Sequence, residues 1–173
     1  MKKLVLGGGC FWCIEAVYSN VKGVKKALSG YAGGRRKDPS YEQVCSGATG
    51  HAEVVEISYD DAIITMEELL DIFWEIHDPT TLNAQGADVG TQYRSVVFYG
   101  SDEEKKKIQD SIAKVSSDFD DKIVTEVAPL SEFYPAERYH QSYFASNPNQ
   151  GYCRVVIAPK LQKFMTRFPE KLA

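Results

Sequence analysis

The strongest constraint on the fold of this chain is a helix that is not there. Two strand-like runs, residues 24–31 (VKKALSGY) and 52–60 (AEVVEISYD), follow one another with only a Gly-, Ser- and Pro-rich stretch between them. A parallel, doubly wound sheet needs a helical crossover between successive strands. A chain without one at this point must pair its second and third strands differently.

The flanking patterns say how. Residues 3–6, KLVL, read as a short buried strand that ends at Gly7-Gly8-Gly9. From Phe11 the run FWCIEAVYSNV has Phe11, Ile14, Ala16 and Val17 near one helical face. Further on, Thr65 and Glu68 form a capping box ahead of Met66, Leu69, Leu70, Phe73 and Ile76 at helical spacing. RSVVFYG is a strand, and Ser101 and Glu104 cap a helix carrying Ile108, Ile112 and Val115. IVTEVAPL is a strand, AERYHQSYFAS a helix, and YCRVVIAPKL a closing strand after the turn-rich NPNQG. This order predicts an α+β fold: a ferredoxin-like split β-α-β two-layer sandwich with added helices and long loops. Residues 1–173 show no repeat and no linker, so one catalytic domain is expected. Residues 33–51, with one helical turn, and residues 78–93 are long polar loops, a length that usually serves function.

Apolar residues make up 43% and charged residues 25%, ordinary globular values. The net charge of −4 argues against a general nucleic-acid binder. Lys105-Lys106-Lys107 sits among acids and reads as a solvated helix face. The apolar run at the N-terminus is too short for a secretory core or a membrane span, so a cytoplasmic protein with no membrane partner is expected. Four cysteines in such a chain suggest catalysis, metal binding or packing rather than a disulfide scaffold.

Cys10 falls at the strand-to-helix turn, where free N–H groups would lower a thiol's pKa. GGGCFWCIEA leaves three readings open. One is a zinc clip, but no second Cys-x-x-Cys and no His-x₃₋₅-His supplies the other ligands, and His51, His77 and His140 are isolated. Another is a thioredoxin-like dithiol of Cys10 and Cys13, although Phe11-Trp12 is a bulky spacer. The third is a single reactive thiol beside an aromatic wall that suits a small apolar group.

GCFWCIEA, GYAGG, YEQVCSGATGHAEVVEISYD, FWEIHDPTTLNAQGADVGTQYRSVVFY, AERYHQSYFASNP and GYCRVVIAPK together resemble the type A methionine sulfoxide reductases, over about residues 5–160. The resemblance implies reduction of the S epimer of methionine sulfoxide, free or in oxidised proteins. It gives Cys10 the nucleophile's place and Phe11 and Trp12 that of the walls around the substrate methyl. Glu53 would be the acid on the sulfoxide oxygen, with Tyr41 and Tyr93 as phenol donors and Asp88 as a polar neighbour. His51 is expected to brace a loop behind the site. A second thiol would resolve the Cys10 sulfenic acid to a disulfide, which external thioredoxin reduces. Cys153 matches a position used for resolution in many members and is favoured; Cys13, where the family often has glycine, is the contender. No metal and no bound organic cofactor is implied, and a monomer is expected. Cys45, Phe73, Trp74 and the pair 143–144 read as packing residues, and His77 as a helix cap.

Overall fold

The computed structural model describes all 173 residues. The chain runs β1 (Lys2–Gly7), α1 (Phe11–Tyr18), β2 (Val24–Ala32), α2 (Tyr41–Cys45), β3 (Ala52–Tyr59) and α3 (Met66–Ile76). It continues through a two-residue hairpin, β4 (Ala84–Gln85) and β5 (Asp88–Val89), into β6 (Val96–Tyr99) and α4 (Asp102–Val115). The last part holds β7 (Glu126–Pro129), β8 (Phe133–Pro135), the short α5 (Tyr143–Ser146) and α6 (Ala158–Arg167).

The main sheet has six strands in the order β7-β6-β1-β3-β2-β8. Its middle is the expected split β-α-β: β3 lies antiparallel between β1 and β2, and β1 lies antiparallel between β3 and β6. β7 and β8 extend the edges, the first parallel to β6 and the second antiparallel to β2. Alternation along the strands sorts residues to two faces. Leu4, Leu6, Val55 and Ile57 join α1 and α3 in the larger core, whereas Val5, Val54, Val96 and Phe98 form a smaller cluster on the other face. Glu53 shares the parity of Val55, and it pairs with Tyr31 across β2 and β3. Strand register therefore sends Glu53 to the face that carries α1.

The Thr65–Glu68 capping box and the Ser101–Glu104 cap form as read. The Thr65 hydroxyl accepts from the Glu68 N–H, and the Ser101 hydroxyl accepts from the Glu104 N–H. The helical turn in the first long loop is α2, capped by Ser40 with Gln43 in a second box.

Two segments differ from expectation. YCRVVIAPKL is helical, not a strand: a π turn over Cys153–Ile157 runs into α6. Its β-branched run favours a strand locally, but Cys153, Ile157 and Phe164 are buried at helical spacing and dock on the core. AERYHQSYFAS is not one helix. It is a 3₁₀ turn, Arg138–His140, and then α5, broken at Ser142, whose backbone is left-handed (φ 52°, ψ 38°). No helix is long and apolar enough to cross a membrane.

Candidate active site

The site is assembled where β1 hands over to α1. Gly9 takes φ +91°, and its N–H donates to the Tyr93 carbonyl at 3.1 Å, so the turn is pinned to the second long loop. Gly8 lies flat on the His77 ring: a Cβ there would stand 2.6 Å from His77 Cδ2. Cys10 follows as the N-cap of α1, 7% exposed.

The Phe11 N–H, the first of the helix, donates to Glu53 Oε1 at 3.1 Å. Glu53 Oε2 is buried without a partner. Burial pushes the Glu53 carboxyl up to about 8; the Phe11 N–H opposes this and the nearby Asp88 charge adds to it. Glu53 is therefore an un-ionised acid at neutral pH. Oε1 is occupied as an acceptor, so its proton belongs on Oε2.

Cys10 departs from the lowered pKa expected of a helix N-terminus. Burial pushes its thiol well up, Glu53 and Cys13 push the same way, and the Trp12 N–H opposes them without prevailing. One turn of partial positive charge is outweighed by loss of water and by two acidic neighbours. The resting site thus holds two protons, one on sulfur and one on carboxyl.

Tyr41 and Tyr93 both lie within reach of the Glu53 charge. Burial raises both phenols, with the Glu53 charge as the next cause in each case, so both remain O–H donors. Cys45 lies one turn along α2 from Tyr41, and each bears on the other's protonation. Asp88 accepts from Tyr152 O–H at 2.6 Å, and Tyr152 Oη lies 3.7 Å from Cys13 Sγ. Cys153, next to Tyr152, is fully buried, and its charge bears on Cys13. Cys13 in turn bears on Cys10.

Phe11 is wholly buried rather than an open wall, packed against Tyr31, Tyr41 and His140. Trp12 is half-buried. Its ring stacks on Tyr143 at 3.7 Å and 6°, and its Nε1–H donates to His140 Nδ1 at 3.1 Å. Tyr143, expected in the core, is instead the cover of Trp12. His51 stands apart from this cluster: Nδ1 accepts from the Gly34 N–H and Nε2 pairs with the Arg36 carbonyl, the loop brace expected of it. His77 donates to the Phe73 carbonyl as a cap.

From sequence, Tyr143 reads as packing and His140 as an isolated histidine, and Tyr152 and Glu137 do not stand out. Glu137 accepts from Tyr31 O–H and from the Tyr41 N–H, which fixes α2 against the pocket. All four belong to AERYHQSYFASNP or GYC, and nothing in their local pattern separates a pocket residue from a packing residue. A wide cleft of 1090 Å³ between α3 and α6, lined by Trp74, Asp78, Lys160 and Arg167 among others, includes neither Cys10 nor Glu53. No three His, Cys, Asp or Glu side chains are grouped to hold a metal ion.

Residues 2–172 match the model of the family described as "Peptide methionine sulfoxide reductase". The chain belongs to the peptide methionine sulfoxide reductase family. Within it, the peptide methionine sulfoxide reductase MsrA of Nautilia profundicola is 58% identical over 165 residues, 95% of each chain. Mxr1 of Saccharomyces cerevisiae in reduced form superposes with TM-score 0.82 at 40% identity, covering 88% of each chain. Mxr1 in complex with Trx2 matches with TM-score 0.57 at 28% identity, over 82% of this chain and 84% of that one. In this reductase, Cys10, Tyr41 and Tyr93 each lie near enough to Glu53, at the N-terminus of α1, to feel its charge.

Proposed function

We propose that this protein reduces the S epimer of methionine sulfoxide, free or in oxidised proteins, and is recycled by a thioredoxin-type dithiol. The observation that carries the reading is Glu53: a buried acid with one oxygen held by the helix and the other free beside Cys10. A sulfoxide oxygen leaves sulfur only when it is protonated. Glu53 supplies that proton from Oε2, while the Tyr41 and Tyr93 hydroxyls donate to the same oxygen as charge develops on it. Cys10 Sγ attacks the sulfoxide sulfur, and its own proton returns to the Glu53 carboxylate. The S–O bond breaks as oxygen passes to Cys10. The balance is thiol plus sulfoxide to sulfenic acid plus sulfide, with no net proton taken up. Trp12 gives the methyl an apolar seat, and Tyr152, bonded to Asp88, borders it edge-on.

The sulfenic acid then condenses with a second thiol, releasing water and leaving a disulfide. Cys153 is assigned this role on family resemblance. Cys13 is the alternative, favoured by its place one turn after Cys10, with its N–H bonded to the Cys10 carbonyl at 3.1 Å. The external dithiol opens the disulfide by exchange. The Trx2 complex of the yeast relative supports a thioredoxin as that reductant. The enzyme is read as a cytoplasmic monomer with no bound metal or organic cofactor; four free thiols suit a reducing compartment.

Single-turnover mixing with each resolved sulfoxide epimer tests the proposal. One equivalent of methionine from the S epimer, and none from Cys10→Ser, is expected. Release by Cys10→Ser, or none by the wild type, would overturn it.

A further inference from the structure

α1 carries a second buried carboxyl that no step above uses. Glu15 is 3% exposed and lies three residues after Trp12, hence on the same side of the helix. Its Oε1 accepts from the Ser142 N–H at 2.7 Å. Burial raises the Glu15 carboxyl, and the Ser142 N–H and hydroxyl are the groups that pull it back. Ser142 is the left-handed residue that breaks the 136–146 segment, and the residue after it is Tyr143, the cover of Trp12.

Ser142 does not reach this conformation by preference, since serine carries a Cβ that disfavours it. α5 beyond it is only four residues long, too short to orient itself. Two contacts fix the residues on its N-terminal side. The Gln141 side-chain amide accepts from the Ser29 N–H and donates to the Ser29 carbonyl, both at 2.9 Å, and His140 accepts from Trp12. Neither contacts Ser142, the left-handed residue whose turn leads into Tyr143; Glu15 holds its N–H.

We propose that Glu15 is a positioning residue for the substrate pocket: through the Ser142 N–H it holds Tyr143 flat on Trp12, and so sets how tightly the pocket takes a methylsulfinyl group. This rests on the sulfoxide reading of the same site for its substrate, but the clamp itself can be measured without turnover. It separates two jobs on one helix. The first turn of α1 presents the reacting sulfur, and the second holds the cover over the binding surface. Glu15 then belongs to binding and leaves the chemical step alone.

The test uses the Trp74→Phe background, in which Trp12 is the only tryptophan. Glu15→Leu keeps the volume and removes the acceptor; Glu15→Gln keeps the acceptor. With Glu15→Leu, acrylamide quenching of Trp12 should rise about two-fold as its stacking partner is freed. In single turnover the half-saturating sulfoxide concentration should rise roughly tenfold, with the limiting rate nearly unchanged. Glu15→Gln should restore both values. Tyr143→Leu should reproduce the binding loss, and adding Glu15→Leu to it should do little more. Unchanged quenching in Glu15→Leu, a loss confined to the limiting rate, or full additivity with Tyr143→Leu would each overturn the clamp. If Glu15→Leu does not fold, Glu15→Met, flexible and without an acceptor, decides by the same readings. If the wild type turns over neither epimer, the functional proposal fails, and quenching alone still decides whether Glu15 holds the stack.

Discussion

The Phe11 N–H holds one oxygen of Glu53 at 3.1 Å and leaves the other buried without a partner. Helix start and the proposed general acid are thereby one structure: the N–H that begins α1 fixes the acid next to the residue that caps it. Burial has pushed the carboxyl up to about 8, so the acid form is the working form and is lost as pH rises through that value. The single-turnover sulfoxide rate should fall on the alkaline side with a midpoint near 8. Glu53→Gln should lower the rate on the order of a hundredfold and abolish that limb. Reduction of the preformed disulfide by thioredoxin should change little in the variant. An equal loss in both half-reactions would make Glu53 structural.

The same shift makes a prediction about stability. In the unfolded chain Glu53 returns to its ordinary value of 4.5, against about 8 when folded. Below the ordinary value both states are protonated, and the group has no effect on folding. As pH rises from there, the unfolded state ionises first and gains, so the folded protein loses stability until Glu53 itself ionises. Gln cannot ionise. The stability of Glu53→Gln relative to wild type should therefore rise by on the order of 3 kcal/mol between about pH 4.5 and neutrality. Paired denaturant melts at the two pH values measure this. A difference that stays constant with pH would mean Glu53 is ionised in the folded protein.

Cys153 is fully buried inside a π turn, and its N–H donates to Gln150 Oε1. If it resolves the sulfenic acid, that turn must open. One turnover without reductant should give a Cys10–Cys153 disulfide by peptide mapping, together with faster amide exchange over residues 151–157 than in the reduced protein. Cys153→Ser should still release one equivalent of methionine and then stall with thioredoxin. A mapped Cys10–Cys13 bond, or normal multiple turnover in Cys153→Ser, would hand the role to Cys13.

What the sequence reveals here follows the range over which each feature is decided. The Thr65–Glu68 and Ser101–Glu104 caps are set within four residues and form as read. The β6-β1-β3-β2 order follows from the absence of a crossover helix between residues 32 and 52, where only the single turn of α2 stands, and Cys10 at a strand-to-helix turn follows from three glycines. The rest depends on partners far along the chain. Trp12 meets His140 across 128 positions, and Glu15 meets Ser142 across 127. The Cys10 thiol moves the opposite way to local expectation because burial and Glu53 are properties of the fold. Residues 153–157 look like a strand until Phe164 and the core are counted.

Gly8 and His77 offer a test of how closely the nucleophile's turn is fitted. His77 is buried, bonded through Nδ1–H to the Phe73 carbonyl and through Nε2 to Ser95, whose hydroxyl also pairs with Thr125. Burial holds it neutral, down to about 4, so it is a fixed wall at working pH. A methyl on Gly8 would press into that ring at 2.6 Å. Since the ring is tied at both nitrogens, the glycine turn must move instead, and Cys10 with it. Gly8→Ala should cost about 1–3 kcal/mol of stability and slow the sulfoxide step at least tenfold. His77→Ala should also destabilise, by opening a cavity and taking one of the two partners from the Ser95 hydroxyl. Combined, the two changes should cost less than their sum, because the methyl enters the space the imidazole leaves. Thermal melts and single-turnover rates of the four proteins complete the cycle. Strict additivity would place the Gly8 constraint elsewhere in the turn, with the Glu53 carbonyl behind Gly7 as the next contact to examine.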